Sequence, residues 1–256
     1  MEPWHLESVL PAAMFIGLRV SSLLLFAPFL SSVSIPAQVK AGLAVAVTVV
    51  LYPVCRPAAV ESGAVGWLGV VSGEILVGLL LGLAVQMVVE SAQMAGQVMG
   101  VQAGYSLVTL LDPQTQADLP VMSTFNQLLA LLIFLQLDVH HWMLRGLAAS
   151  FVYLPPGAVL AKLTTGATLL QAAGGIWLAG VQLAAPVLVA TFLIDVTLGF
   201  LSKASPQMPV LFVGLSFKTL LSLAVFAGTL VLWPSTLERQ FAAGVSLGER
   251  LLHLSR

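Results

Sequence analysis

The chain has 256 residues, 59% of them hydrophobic and only 8% charged, with a mean hydropathy of +1.01. Soluble proteins carry about a quarter charged residues, so this balance excludes a soluble globular protein and predicts an integral membrane protein. Ten Lys+Arg against eleven Asp+Glu leave a net charge of -1, without the clustered positive charge that nucleic acid requires, and the single cysteine, Cys55, excludes an internal disulfide and a cysteine-based metal cage.

The N-terminal stretch MEPWHLESVLPAAMFIGLRV lacks the basic region of a secretory signal and places Arg19 inside its apolar run, so retained structure without cleavage is expected. A spanning helix needs about 20 residues to cross roughly 30 Å of hydrocarbon. Apolar runs near that length cover residues 9–30, 39–54, 67–89, 121–137, 174–200 and 210–233, which predicts six helices, the second and fourth of them short. In the first run Leu24 is expected to face lipid. Turn chemistry separates the runs at residues 31–36, 52–57, Asp112-Pro113, 153–157 and 205–209, so the connections read as hairpin corners. With no composition shift along the chain, one helical membrane domain is expected: N-terminal hairpins over 1–173, a C-terminal hairpin over 174–235 and a tail over 236–256. In that tail Leu237, Phe241, Val245, Leu251 and Leu252 recur at roughly helical spacing among Glu238, Arg239, Glu249 and Arg250. The pattern reads as an amphipathic helix on a membrane surface, with partner docking as the alternative. Arg56, Arg145, Lys162, Arg239, Arg250 and Arg256 share one side of this topology against Lys40 and Lys203 on the other, which favours cytoplasmic termini.

Residues 86–104 are less apolar than the spanning runs yet keep helical spacing. Gln86, Glu90, Gln93 and Gln97 follow at intervals of four, three and four, drawing one polar stripe along a helix. Beside it Gly96, Gly100 and Gly104 form a small-residue ladder of the kind that lets backbones approach closely. The stripe fits a helix lining a watery passage as well as it fits a solvent-facing amphipathic helix. Residues 104–120, GYSLVTLLDPQTQADLP, are too polar at the end to span lipid and too apolar at the start for a plain solvated loop. Irregular backbone at membrane depth needs surrounding protein or water, which a pore constriction supplies; a turn outside the membrane, started by Asp112-Pro113, is the alternative.

Arg19, Glu74, Asp195 and Lys218 fall inside apolar runs. An unpaired charge costs roughly 2.5 to 17 kcal/mol in hydrocarbon, so these residues are expected to be buried against protein or water. Asp195 and Lys218 read as a structural pair across a hairpin, and Arg19 and Glu74 as snorkelling or pairing elsewhere; a proton relay takes second place. Enzyme signatures fail. His140-His141 lacks the i,i+4 spacing and helix-borne Glu of a zinc protease, and neither a Gly-x-Ser-x-Gly elbow nor a phosphate-cradling glycine loop occurs. His5 and His253 sit near the ends without an apparent partner, and Met87, Met94, Met99 and Met122 read as adaptable packing. Neither catalysis nor a metal or cofactor is expected.

Several stretches together resemble one known family: Ala185-Pro186-Val187-Leu188 through Asp195, then Gly199-Phe200-Leu201-Ser202-Lys203-Ala204-Ser205-Pro206-Gln207-Met208-Pro209-Val210, with Gly73-Glu74-Ile75-Leu76-Val77-Gly78 and Phe26-Ala27-Pro28-Phe29. In order and spacing they are similar to the FliR family of flagellar type III secretion export-gate subunits, called SctT in injectisomes, over essentially the whole chain. The resemblance implies an all-α membrane protein of tilted helical hairpins, one copy assembled with FliP and FliQ subunits into a closed ring in the bacterial inner membrane. It implies FlhB as a neighbour at the cytoplasmic entrance, exported flagellar proteins as substrates, and export energy from the proton motive force and a separate ATPase. By the same resemblance Tyr105, Ser106, Leu107, Val108, Thr109, Leu110, Leu111 and Asp112 form a channel plug, the stripe of Gln86, Glu90, Gln93 and Gln97 faces the lumen, and Lys203, Pro206 and Gln207 mark the family's hairpin corner. Met208-Pro209 departs from the pattern, where an Asn is frequent, and the second proline is expected to stiffen that corner. An injectisome subunit is the near alternative. A solute transporter with Asp195 and Lys218 as its coupling site is the distant one, and it lacks the repeated halves such transporters often show. An assembly factor that never lines the pore is the third.

Overall fold

The computed structural model describes residues 6–32, 35–53, 64–105, 121–154, 166–205 and 210–254. Among these residues the regular structure is helical and no strand occurs. The helices are α1 (Leu6–Phe26), α2 (Ala37–Leu51), α3 (Ala64–Gln102), α4 (Val121–Gln136), α5 (Val139–Tyr153), α6 (Gly166–Ala204), α7 (Val210–Thr229) and α8 (Trp233–Leu254), with one 3-10 turn, Leu230–Leu232, between the last two. By length and composition three segments can cross a membrane: Trp67–Gln102, Trp177–Ala204 and Gly214–Ser246. A fourth span exists if α4 and α5, bent by 65° at their junction, count as one. Residues 10–26 of α1 and all of α2 are shorter apolar helices. The protein is an all-α membrane protein.

The structure changes three sequence expectations. First, α3 runs for 39 residues without interruption through the polar stripe, because Gln, Glu, Met and Ala are good helix formers and neither proline nor turn chemistry interrupts them. At 1.5 Å per residue it is about 58 Å long, well beyond the hydrocarbon core. Second, α5 was not expected. Its start, VHHWMLRG, lacks the apolar continuity of a span, yet a helical turn forms directly after Asp138, which adopts φ 54 and ψ 30 and redirects the chain. Third, Leu24 is buried rather than lipid-facing, while its neighbour Leu25 is 58% exposed.

The helices belong to two compact units, and α3 contributes to both. The first takes the chain up to Met87, the stretch from Phe134 to Ala173, and the end of α8 from Phe241. Within it α1 packs on α2, with Gly17 opposite Thr48. Contact of α1 with α3 depends on glycine: a Cβ on Gly78 would overlap Ser22 Oγ and the Arg19 carbonyl, and one on Gly82 would stand 2.8 Å from the Leu23 carbonyl. Phe15 meets Trp67 with ring centroids 5.3 Å apart, and Phe134 meets Phe241 edge-on at 5.7 Å.

Arg19 and Glu74 lie in this unit, both fully buried. Arg19 Nε donates to Glu74 Oε2 at 2.6 Å, Nη1 to Ser150 Oγ at 2.9 Å and Nη2 to the Leu154 carbonyl at 3.1 Å. The guanidinium also lies 4.0 Å from the centroid of the Phe151 ring. Ser150 passes the interaction on by donating to the Leu147 carbonyl at 2.6 Å. A charge at this depth is tolerable only when its donors are met, and arginine's planar fork meets three acceptors from α3 and from the end of α5 at once.

The second unit takes Val88–Ile133 and Gly174–Gln240. Here Gly96 lets α3 touch α4: a Cβ would fall 2.6 Å from both the Met122 carbonyl and Ser123 Cα. Asn126 Nδ2 donates to the Ala92 carbonyl at 3.3 Å across the same contact. Gly180 does the same for α6 against α3, with a Cβ 3.0 Å from the Ser91 carbonyl. Phe226 stands edge-on to Phe125 at 6.0 Å and to Trp233 at 5.8 Å.

Candidate functional site

The end of α3 is where the polar features converge. Gln86, Glu90 and Gln93 are partly exposed and Gln97 is exposed, so the helix keeps this face only partly covered along its polar half. Gly100 makes only ordinary contact, 3.6 Å from Met122 Cβ, so the glycine ladder acts chiefly at Gly96. Gly104 has a different task. With φ 88 it occupies the left-handed region, the Tyr105 amide donates to the Gly100 carbonyl at 3.0 Å and the Gly104 amide to the Val101 carbonyl at 3.1 Å. This Schellman cap ends the helix. Tyr105 is exposed; Ser106, Leu107, Val108, Thr109, Leu110, Leu111 and Asp112 lie outside the described residues.

The capped end is tied to α6 and α7. Lys218 Nζ of α7 donates to both Asp195 oxygens of α6 at 2.7 Å, and Gln102 Nε2 of α3 donates to Asp195 Oδ2 at 3.1 Å. Thr219, next along α7, shares its hydroxyl proton between its own helix at Leu215 and the Ala103 carbonyl at 3.0 Å. The carboxylate thus holds three helices together, and the adjacent hydroxyl holds the last carbonyl before Gly104. Asp195 and Lys218 were expected to be buried, but the Asp195 side chain is 43% exposed and that of Lys218 15%. On α6 and α7 Phe192, Val196, Phe200, Phe217 and Leu220 are all exposed, and none of the described residues covers them. Gln102 and Thr219 escaped the sequence reading because a lone amide and a lone hydroxyl at helix positions carry no spacing signal. Lys203 is exposed in the last turn of α6, and Pro206 and Gln207 lie outside the described residues. Among the described residues one set of metal-ligand types converges, Asp138, His140 and His141.

Residues 10–244 match the family model for bacterial export proteins, family 1. The chain is 31% identical over 227 residues to the flagellar biosynthetic protein FliR of Escherichia coli strain K12, covering 88% of this chain and 86% of that protein. It is 30% identical over 224 residues to the FliR of Pectobacterium carotovorum, with the same shares covered, and 29% identical over 216 residues to that of Bacillus subtilis, covering 83% of each. All three relatives are named as flagellar biosynthetic proteins, and the matching family model is named for bacterial export. An all-α membrane protein matched over residues 10–244 in this way belongs to bacterial export protein family 1, as a FliR-family subunit of the flagellar export apparatus.

Proposed function

We propose that this chain lines and plugs the channel through which unfolded flagellar proteins cross the bacterial inner membrane, in one complex with FliP and FliQ subunits and with FlhB at its entrance. The observation that carries the reading is the anchored end of α3. A plug must start from a fixed root, since a freely swinging root would add the ordering entropy of every residue to the cost of closing. Here the polar stripe leads to a helix end stopped by Gly104 and held by the Gln102–Asp195 and Thr219–Ala103 bonds, immediately before the plug residues Tyr105–Asp112. The partners follow from the resemblance, and the exposed face of α6 and α7 supports them. A carboxylate 43% exposed among apolar side chains is costly against lipid and tolerable against protein or water.

The test loosens the plug in complexes that still co-purify with their partners. Deleting residues 107–112 is expected to make membranes carrying the complex permeable to small ions and dyes. An unchanged leak in a fully assembled complex would remove the plug from the reading. A photoreactive residue at Thr109 is expected to capture a stalled substrate, and one at the exposed Leu25 is not; equal yields would count against the lumen.

A further inference from the structure

We propose that Asp138, His140 and His141 form a binding site for a divalent first-row transition cation at the corner between α4 and α5. The three residues sit where the chain bends by 65°, with Asp138 between the helices and both histidines in the first turn of α5. One ligand atom from each lies within 4.8 Å of the other two. Asp138 Oδ1 is 3.3 Å from His141 Nδ1 and 3.8 Å from His140 Nε2. Ligands about 2.0–2.2 Å from a tetrahedral ion stand about 3.3–3.6 Å from each other, so the two aspartate-to-imidazole spacings are close to those of a loaded site, and the imidazole nitrogens, within 4.8 Å of each other, would close in on binding.

Consecutive residues on a helix point about 100° apart and do not ordinarily share a ligand. These two converge by using different ring nitrogens. The rings lie 4.2 Å apart with a tilt of 38°. His140 is held by packing: it lines an apolar cavity of about 240 Å³ with Leu24, Phe134, Met143 and Leu144. Its Nδ1 is enclosed without a hydrogen-bond partner among the described residues, which leaves Nε2 as the reachable nitrogen, facing the aspartate.

Asp138 itself is set apart from its ordinary task. An aspartate at a helix N-cap usually accepts from the amides of the first turn. Here it makes no side-chain cap hydrogen bond, and its backbone carbonyl accepts from the His141 amide at 2.9 Å while its carboxylate faces the imidazoles. It does so from the left-handed region, which non-glycine residues seldom occupy and which recurs where a side chain must be aimed. The positive end of the α5 dipole opposes a cation, and the carboxylate offsets it.

Two imidazoles and one carboxylate suit zinc, copper, nickel or iron(II), and are a poor set for magnesium or calcium, which take oxygen ligands. All three side chains are at least 42% exposed at the surface of the chain, so the ion would keep a position open to a further ligand and could exchange. Bound there, it would tie the first turn of α5 to the residue that makes the bend and stiffen the corner.

The test uses the full chain, purified without a histidine tag, stripped with EDTA and titrated with Zn²⁺ against a chromophoric chelator. The expected result is one equivalent bound per chain, undisturbed by excess Mg²⁺, with X-ray absorption at the zinc edge showing two imidazoles. Since even outer-shell changes cost metal sites about 10–100-fold, Asp138→Asn and His141→Gln are each expected to weaken binding at least tenfold, with helicity by circular dichroism unchanged. Absence of saturable binding would overturn the proposal. So would binding that survives in a His140→Gln/His141→Gln double variant, which would place the ion at His5, His253 or elsewhere.

Discussion

Replacing Arg19 with leucine removes a guanidinium that is fully enclosed and that meets Glu74, Ser150 and the Leu154 carbonyl while stacking on Phe151. The consequences differ by partner. Ser150 still donates to the Leu147 carbonyl, so its hydroxyl is not stranded. The Leu154 carbonyl loses its side-chain donor, a cost of about 1–3 kcal/mol for a buried acceptor. Glu74 loses its guanidinium at zero exposure, and breaking one side of a buried ion pair costs about 3–5 kcal/mol. Against a total stability of about 5–15 kcal/mol, Arg19→Leu should cut deeply into the fold. Arg19→Lys keeps the charge but cannot reach three acceptors with a planar fork, so an intermediate loss is expected. The decisive variant is Arg19→Leu/Glu74→Leu. A buried pair exchanged for apolar side chains is often neutral, so only the Leu154 term should remain, about 1–3 kcal/mol. The assay is denaturant unfolding of the purified chain in detergent, followed by circular dichroism. A double variant no more stable than the worse single one, or single variants within about 0.5 kcal/mol of the parent protein, the usual range for surface changes, would refute the account.

Gly96→Val places branched carbons where a Cβ alone would stand 2.6 Å from the Met122 carbonyl, so α3 and α4 must separate; overpacking of this kind costs about 1–3 kcal/mol and should lower the unfolding midpoint, whereas Gly100→Ala, whose Cβ would stand in ordinary contact 3.6 Å from Met122 Cβ, should not. Gly104→Ala puts a side chain at φ 88 and should cost about 1–2 kcal/mol by the same measurement, with Gly104→Asn less harmful because asparagine tolerates that region.

What the sequence disclosed, and what it withheld, follows from the solvent. Hydropathy marks the helices because every spanning segment must be apolar: each of the six expected runs falls on a helix, but only three segments, or four if α4 and α5 count as one, are long and apolar enough to cross a membrane. It says far less about burial, because lipid rewards the same side chains as the protein core. In α1 Leu23 and Leu24 are buried, while Leu25, of identical chemistry, is 58% exposed; no pattern of apolar residues separates them. Polar residues were the better guide. Arg19 and Glu74 were singled out as charges needing partners, although 55 residues separate them and only packing shows that they find each other. Asp195 and Lys218 were legible as a pair across a corner, but not the amide of Gln102 that joins them, nor the fact that Asp195 remains 43% exposed.

That exposure is informative about the fold itself. In a soluble protein an exposed carboxylate satisfied by a lysine would be unremarked, worth about 0–1 kcal/mol. On α6 it sits among exposed Phe192, Val196 and Phe200, a surface that water would reject and that lipid would accept everywhere except at the charge. Neither solvent suits the whole face. An apolar surface carrying one paired charge is suited to another protein surface of the same kind, which can match the apolar side chains and present a polar group to the free lone pairs of Asp195. The lysine and the glutamine already donate three hydrogen bonds to that carboxylate, so the opposing surface need supply no counter-charge.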